Sequence, residues 1–150
     1  DLDDKKRLLR AVEIEKARIR NNQDLRDRPE ITAAVFGVRW ERSVLRNRIT
    51  KRLEERLENG MIEEVADLHA AGLSWLRLES FGLEYRFISE YLQQRLTFDE
   101  MKNRLNIAIH QFAKRQETWF RRMERKGVQI NWIDNGDYLL LAEKVAKHLK

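Results

Sequence analysis

Ten residues, Ile31 to Trp40 (ITAAVFGVRW), constrain this chain most, being nearly continuously apolar and rich in β-branched and aromatic side chains. Such a run reads as a strand covered on both faces, the pattern of a parallel sheet. Only Val128 to Ile133 (VQINWI) alternates like a second strand. A buried parallel strand needs neighbours on both sides, so two strands separated by helix-patterned sequence do not complete a sheet. The expectation is a C-terminal part of a larger α/β domain whose other strands precede Asp1.

The remaining sequence has helical spacing. A first helix runs from about Asp3 to Arg20, capped by Asp3 or Asp4, with Leu8, Val12 and Ile19 as a narrow apolar stripe. Asn21 to Glu30, with the only proline, reads as a loop or short linker. A second helix covers Ser43 to Glu58 and closes on Asn59-Gly60, and a third extends to Ala71 before Gly72. Leu73 to Leu83 reads as irregular and Glu84 to Gln93 as a short helix. Thr97-x-x-Glu100 is a capping box that opens a long helix ended by Gly127, and a final helix fills Tyr138 to Lys150. Two segments result: residues 1–28, chiefly the first helix, and residues 31–150.

Composition narrows the chemistry. Thirty basic residues against 25 acidic ones leave +5, with an isoelectric point near 9.6, favouring anionic partners. The absence of cysteine removes disulfides, thiolate metal sites and cysteine nucleophiles. His69, His110 and His148 lie far apart and form no metal-binding pair. No apolar run is long enough for a membrane span, and the first residues do not read as a signal peptide, so the expected location is cytoplasmic.

The long helix carries two faces. Phe98, Met101, Leu105, Ile109, Phe112, Trp119, Phe120 and Met123 recur every three or four residues, which predicts one buried side with Trp119 in the core. Lys114, Arg115, Arg121, Arg122, Arg125 and Lys126 are set against only Glu117 and Glu124. With Gln111 and Gln116 among them, this surface suits a phosphate backbone; it equally suits plain solvation. Arg48, Arg52 and Arg56 share one side of the second helix, where Glu54, Glu55 and Glu58 are placed to neutralise them. Asp134 and Asp137 read as a loop residue and a helix cap.

The run Ala113-Lys114-Arg115-Gln116-Glu117-Thr118-Trp119-Phe120-Arg121 resembles the A-K-R-Q-x-T-W-F/L-R signature of tRNA dimethylallyltransferases. The likeness extends in register from about residue 3 to residue 134. Asp4 to Glu13 (DKKRLLRAVE) resembles a helix of that family, and Arg48-Ile49-x-x-Arg52 resembles its R-I-x-x-R segment. Gly60-Met61-Ile62-Glu63-Glu64-Val65 follows as expected, and Tyr91-Leu92 with Thr97 to Met101 keeps the register. Two places depart from the pattern. Leu83-Glu84 is inserted between Gly82 and Tyr85-Arg86, where the family shows G-Y-R/K, and His110 replaces the usual arginine before Gln111.

The resemblance implies an α-rich α/β fold, the C-terminal half of a P-loop-type prenyltransferase core, mostly helical with about two strands. It places residues 1–28 at the boundary of a helical insertion and residues 31–150 in the core. It implies transfer of a dimethylallyl group from dimethylallyl diphosphate to the N6 amine of the adenosine beside the anticodon. Arg52 would act on the diphosphate in catalysis, and Arg48 would bind it with Arg52. Contacts to tRNA would come from Lys6, Arg7, Arg10, Gly82, Tyr85, Arg86, Gln111, Lys114, Arg115, Gln116, Thr118, Trp119 and Arg121. His110, neutral or partly charged, would weaken one phosphate contact.

Mg²⁺ is expected from the same resemblance, with no ligands in this chain. The family's phosphate loop and proton-accepting aspartate belong to its N-terminal half and are not among these residues; the isolated glycines begin no such loop. The partners implied are tRNA, dimethylallyl diphosphate and that N-terminal half, with no membrane, and the chain alone is expected to be inactive. The alternative is a non-catalytic basic helical module that binds structured RNA.

Overall fold

A computed structural model describes the backbone of residues 2–21 and 33–148, and the side chains of residue 5, residues 7–20 and residues 33–148. The chain divides into two compact units, Asp1–Ala33 and Ala34–Lys150. The first unit contains helix α1, Leu2–Asn21. It starts one residue earlier than expected, so Asp3 and Asp4 fall in the first turn rather than at the cap. A lone helix has no core of its own, and the Leu8, Val12 and Ile19 stripe is exposed. Its charges pair locally, Arg10 with Glu13 at 3.2 Å and Arg18 with Glu15 at 3.6 Å. Beyond Asn21, the expected loop lies outside the described residues, as do Ile31, Thr32 and the last two residues of the final helix.

In the second unit, strand β1 (Val35–Arg39) leads to helices α2 (Arg42–Glu58), α3 (Met61–Ala70), α4 (Trp75–Glu79), α5 (Leu83–Leu92) and α6 (Phe98–Arg125), then strand β2 (Ile130–Asp134) and helix α7 (Tyr138–His148). The two strands pair parallel, with Val35 opposite Ile130 and Arg39 opposite Asp134. Parallel pairing demands a long crossover, here supplied by α2 to α6.

β1 is shorter than expected and is not covered on both faces. Gly37 is buried, whereas Val38 is 50% exposed and Arg39 is exposed. Among the described residues it has one neighbouring strand, and its outer residues stay open where its hydrophobicity anticipates a second layer. β2 begins at Ile130 rather than Val128, because the preceding residues close α6. The Gly127 N–H donates to the Glu124 carbonyl at 2.9 Å and the Val128 N–H to the Met123 carbonyl at 3.1 Å. Gly127 adopts φ +86°, a conformation glycine reaches without strain.

Leu53, Met61, Val65, Leu78, Ile88, Met101 and Leu105 form the core of the helical part, with Ile109 at its edge. One element was not expected: Ser74 caps the short α4 by accepting from the Arg77 N–H at 3.3 Å, within a stretch that reads as irregular. Five residues are too few for periodicity to register, and Ser74 was the signal available. The capping box is present, since Thr97 Oγ1 accepts from the Glu100 N–H at 3.3 Å while Glu100 accepts from the Thr97 N–H at 2.9 Å.

The single buried face expected of α6 holds only from Met101 to Ile109, since Phe98 at the start of the helix is 42% exposed. Met101 and Leu105 are fully buried, but Phe112 is 47% exposed and Trp119 60% exposed. The core reading of Trp119 is therefore overturned within this chain. The helical core reaches Ile109, and the 28-residue helix runs well beyond it.

Candidate nucleic-acid and diphosphate interface

The outer half of α6 meets the sheet through Trp132. Its Nε1 donates to Glu124 at 2.9 Å, and Phe120 meets its ring edge-on with centroids 5.4 Å apart. The ring lies across Gly37, where a Cβ would sit 2.7 Å from Trp132 Cζ3. Glycine at that strand position thus makes room for the indole that supports this half of the helix.

On the opposite side of α6, Gln111, Lys114, Arg115, Thr118, Arg121, Arg122 and Arg125 are all exposed. By the 3.6-residue repeat these positions share one side of the helix, whereas Gln116 falls on the apolar side with Phe112 and Trp119. Glu117 pairs with Arg121, and Thr118 Oγ1 donates back to the Lys114 carbonyl at 3.1 Å. No ion pair involves Lys114, Arg115, Arg122 or Arg125 among the described residues, so the strip keeps most of its positive charge. Arg115, Thr118, Trp119, Arg122 and Arg125 line one shallow, open depression. Arg122 and Arg125 were not singled out from sequence as site residues, although their spacing from Arg115 and Thr118 carried that information.

Arg48 and Arg52 on α2 are exposed and enter no ion pair among the described residues. The neutralisation expected from nearby carboxylates does not occur. Glu54 bonds Lys102 across to α6 at 3.0 Å, Glu55 faces Lys51 at 3.7 Å, and Arg56 pairs with Glu64 of α3 at 3.9 Å. The Arg48 guanidinium instead stacks on Trp40, 4.0 Å from the ring centroid. Arg39 contrasts with it: its Nε donates to Asp134 at 2.6 Å, which holds that carboxyl below its usual range. Asp134 is therefore the last residue of β2, not a loop residue. Asp137 does cap α7, accepting from the Leu140 N–H at 3.0 Å. α2 begins beside these residues, and Glu41 accepts from the Ser43 hydroxyl and from the Ser43 and Val44 N–H groups, bonds that lower its pKa.

The other sequence candidates are separately placed. Gly82 caps α5 with φ +151°, and the inserted Leu83-Glu84 forms the first turn of that helix. Tyr85 donates its hydroxyl proton to Glu64, which with burial raises its pKa. Arg86 pairs with Glu90 at 3.2 Å. Arg7 and Arg10 are exposed on α1, while the side chain of Lys6 lies outside the described residues. Three or more His, Asp or Glu side chains that could together hold a metal ion gather nowhere among the described residues.

His110 is half-buried, with Nε2 3.3 Å from Thr50 Oγ1, and burial together with Arg46 lowers its pKa. The unfolded chain therefore binds this proton more tightly. Stability is complete above the unfolded value of about 6.5 and falls as pH drops through that value towards the folded one. The stability of His110→Asn, measured by denaturant unfolding, should vary less with pH below about 6.5 than that of the unaltered chain. Equal slopes would place the titration elsewhere.

A family model described as "IPP transferase" matches residues 1–123. The chain belongs to that family. Its relatives include tRNA dimethylallyltransferase 1 of Syntrophus aciditrophicus (strain SB), 54% identical over 153 residues, with 100% of this chain and 50% of that protein aligned. The tRNA dimethylallyltransferase of Treponema pallidum subsp. pallidum is 52% identical over 138 residues, covering 89% of this chain and 44% of the relative. The chain thus spans about half the length of the curated relatives it matches.

Two solved structures share the fold. The full-length tRNA isopentenylpyrophosphate transferase of Bacillus halodurans gives a TM-score of 0.67 at 27% identity, over 96% of this chain and 44% of that one. The tRNA delta(2)-isopentenylpyrophosphate transferase of Staphylococcus epidermidis gives 0.70 at 20% identity, over 98% and 48%. The α-rich α/β fold expected from the sequence is therefore that of about half of such a transferase. As a family member, the chain carries the R-I-x-x-R and A-K-R-Q segments on exposed helix faces.

Proposed function

We propose that this chain is the tRNA-gripping and diphosphate-clamping part of a longer tRNA dimethylallyltransferase whose phosphate loop and proton-accepting aspartate lie on polypeptide outside these residues. One observation supports the reading most: the outer half of α6 presents Lys114, Arg115, Arg122 and Arg125 without carboxylate partners among the described residues, and the three arginines line one depression with the exposed Trp119. Phosphates, riboses and unstacked bases are bound by such cationic and aromatic surfaces. Gln111, Thr118 and Arg121 share that strip and Gln116 lies beside Trp119; Lys6, Arg7 and Arg10 of α1 and Gly82, Tyr85 and Arg86 are separate, further tRNA contacts in this proposal.

Arg48 and Arg52 hold the diphosphate of dimethylallyl diphosphate, and Arg52 stabilises the charge that grows on it as the adenosine N6 attacks the prenyl carbon. The C–O bond to diphosphate breaks as the C–N bond forms, and the amine proton passes to a base outside this chain. Mg²⁺ is proposed to accompany the diphosphate, with its ligands on the remaining polypeptide; nothing in this chain's part of the mechanism depends on it. No helix among the described residues is long and apolar enough to cross a membrane. The proposed location is the cytoplasm, where tRNA substrate is found.

The binding role is tested by changing Lys114, Arg115 and Arg121 together to alanine and measuring tRNA affinity over a range of salt concentrations. Affinity should fall, and the slope of log K against log salt should flatten by roughly one unit per lost phosphate contact. An unchanged slope would make this strip a solvated helix face.

A further inference from the structure

At the carboxyl ends of β1 and β2, where open α/β folds place ligands, two arginines are held by different means. Arg39 is committed to Asp134, which takes a donor and cancels its charge. Arg48 is held by the face of Trp40, and it has no carboxylate partner among the described residues. A ring face orients a guanidinium plane without using its in-plane N–H donors or its charge. The half-buried Trp40 packs closely on Gly136, where a Cβ would lie 3.1 Å from Trp40 Cζ2.

We infer that Trp40 is a positioning residue that presents Arg48, with all its donors intact, to the diphosphate of the prenyl donor. This rests on the diphosphate reading of Arg48 given above. Trp40 touches no reacting atom in this scheme; it acts through Arg48 alone. The residue lies in the short connection between β1 and α2, and the chemistry of its ring, rather than its hydrophobicity, is what the position uses.

Inorganic diphosphate is the probe, titrated calorimetrically into the 150-residue chain and into Trp40→Phe, Trp40→Leu, Arg48→Gln and the Trp40→Leu/Arg48→Gln double variant. Circular dichroism verifies that each remains folded. Trp40→Leu should weaken binding roughly three- to tenfold, while Trp40→Phe, which keeps a ring face, stays within about twofold. In the Arg48→Gln background, Trp40→Leu should have no further effect, which a general structural role would not produce. Additive losses, an unaltered affinity in Trp40→Leu, or no diphosphate binding by the unaltered chain would each overturn the inference. Failure of the longer polypeptide to transfer a prenyl group would remove the proposed function while leaving a measured Trp40–Arg48 coupling in place.

Discussion

Replacing Arg52 by glutamine in the longer polypeptide is expected to lower kcat for prenyl transfer by about 10²- to 10³-fold, the usual consequence of removing one aligned donor from a centre where charge develops. Arg52 stands one turn beyond Arg48, and like charges at that spacing cost a few tenths of a kcal/mol in a helix. The nearby carboxylates that could offset this cost are turned to Lys51 and Lys102. A guanidinium left uncompensated in this way is available to an incoming anion. Because charge on the leaving diphosphate grows towards the transition state, the loss should fall more on kcat than on donor KM. Arg52→Lys should recover part of the rate, since a point charge replaces a two-pronged donor. A variant with unaltered kcat would remove Arg52 from the reaction.

Leu105→Ala is expected to have the largest effect on stability. Leu105 is completely buried among Met101, Ile88 and the other core residues of α2 to α6. Truncation removes apolar contacts and leaves a cavity that rigid neighbouring helices cannot fill, at a cost of about 2–5 kcal/mol. For a domain of this size that corresponds to a fall in Tm of roughly 5–15 °C. Phe112→Ala, on the same helix face but 47% exposed, should cost far less. Equal losses at the two positions would mean that the core extends past Ile109. Thermal melts of the two variants provide the comparison.

The helical frame was legible because each boundary carries its own chemistry: Thr97 and Glu100 at the start of α6, Gly127 at its end, Asn59-Gly60 after α2. Periodicity also located Met101 and Leu105 correctly. It does not distinguish a stripe covered by this chain from one left open by it, so it puts Trp119 in the core and β1 between two layers. Periodicity reports which residues favour burial, while burial itself needs a partner surface. The rewiring around Arg48 was likewise hidden. Glu55 lies within reach of Arg52 in sequence, but the pairings of Glu54 to Lys102 and Glu55 to Lys51 depend on packing and on rotamer choice. Trp40 read as the end of a strand, and only the fold brings Gly136 and Arg48 against it.

Exposed apolar residues give a consistent physical reason for the division of labour. Val38, Phe112 and Trp119 continue patterns that elsewhere in the chain are buried, and the relatives are about twice as long. Under the proposed function these residues grip tRNA and clamp diphosphate, and proton transfer falls to others. Transfer of label from dimethylallyl diphosphate to unmodified tRNA, assayed side by side for the 150-residue chain and for the longer polypeptide, tests this most directly. The longer polypeptide should modify the tRNA, while the chain alone should bind it in a salt-dependent manner and transfer nothing. Turnover by the 150 residues alone would contradict the account.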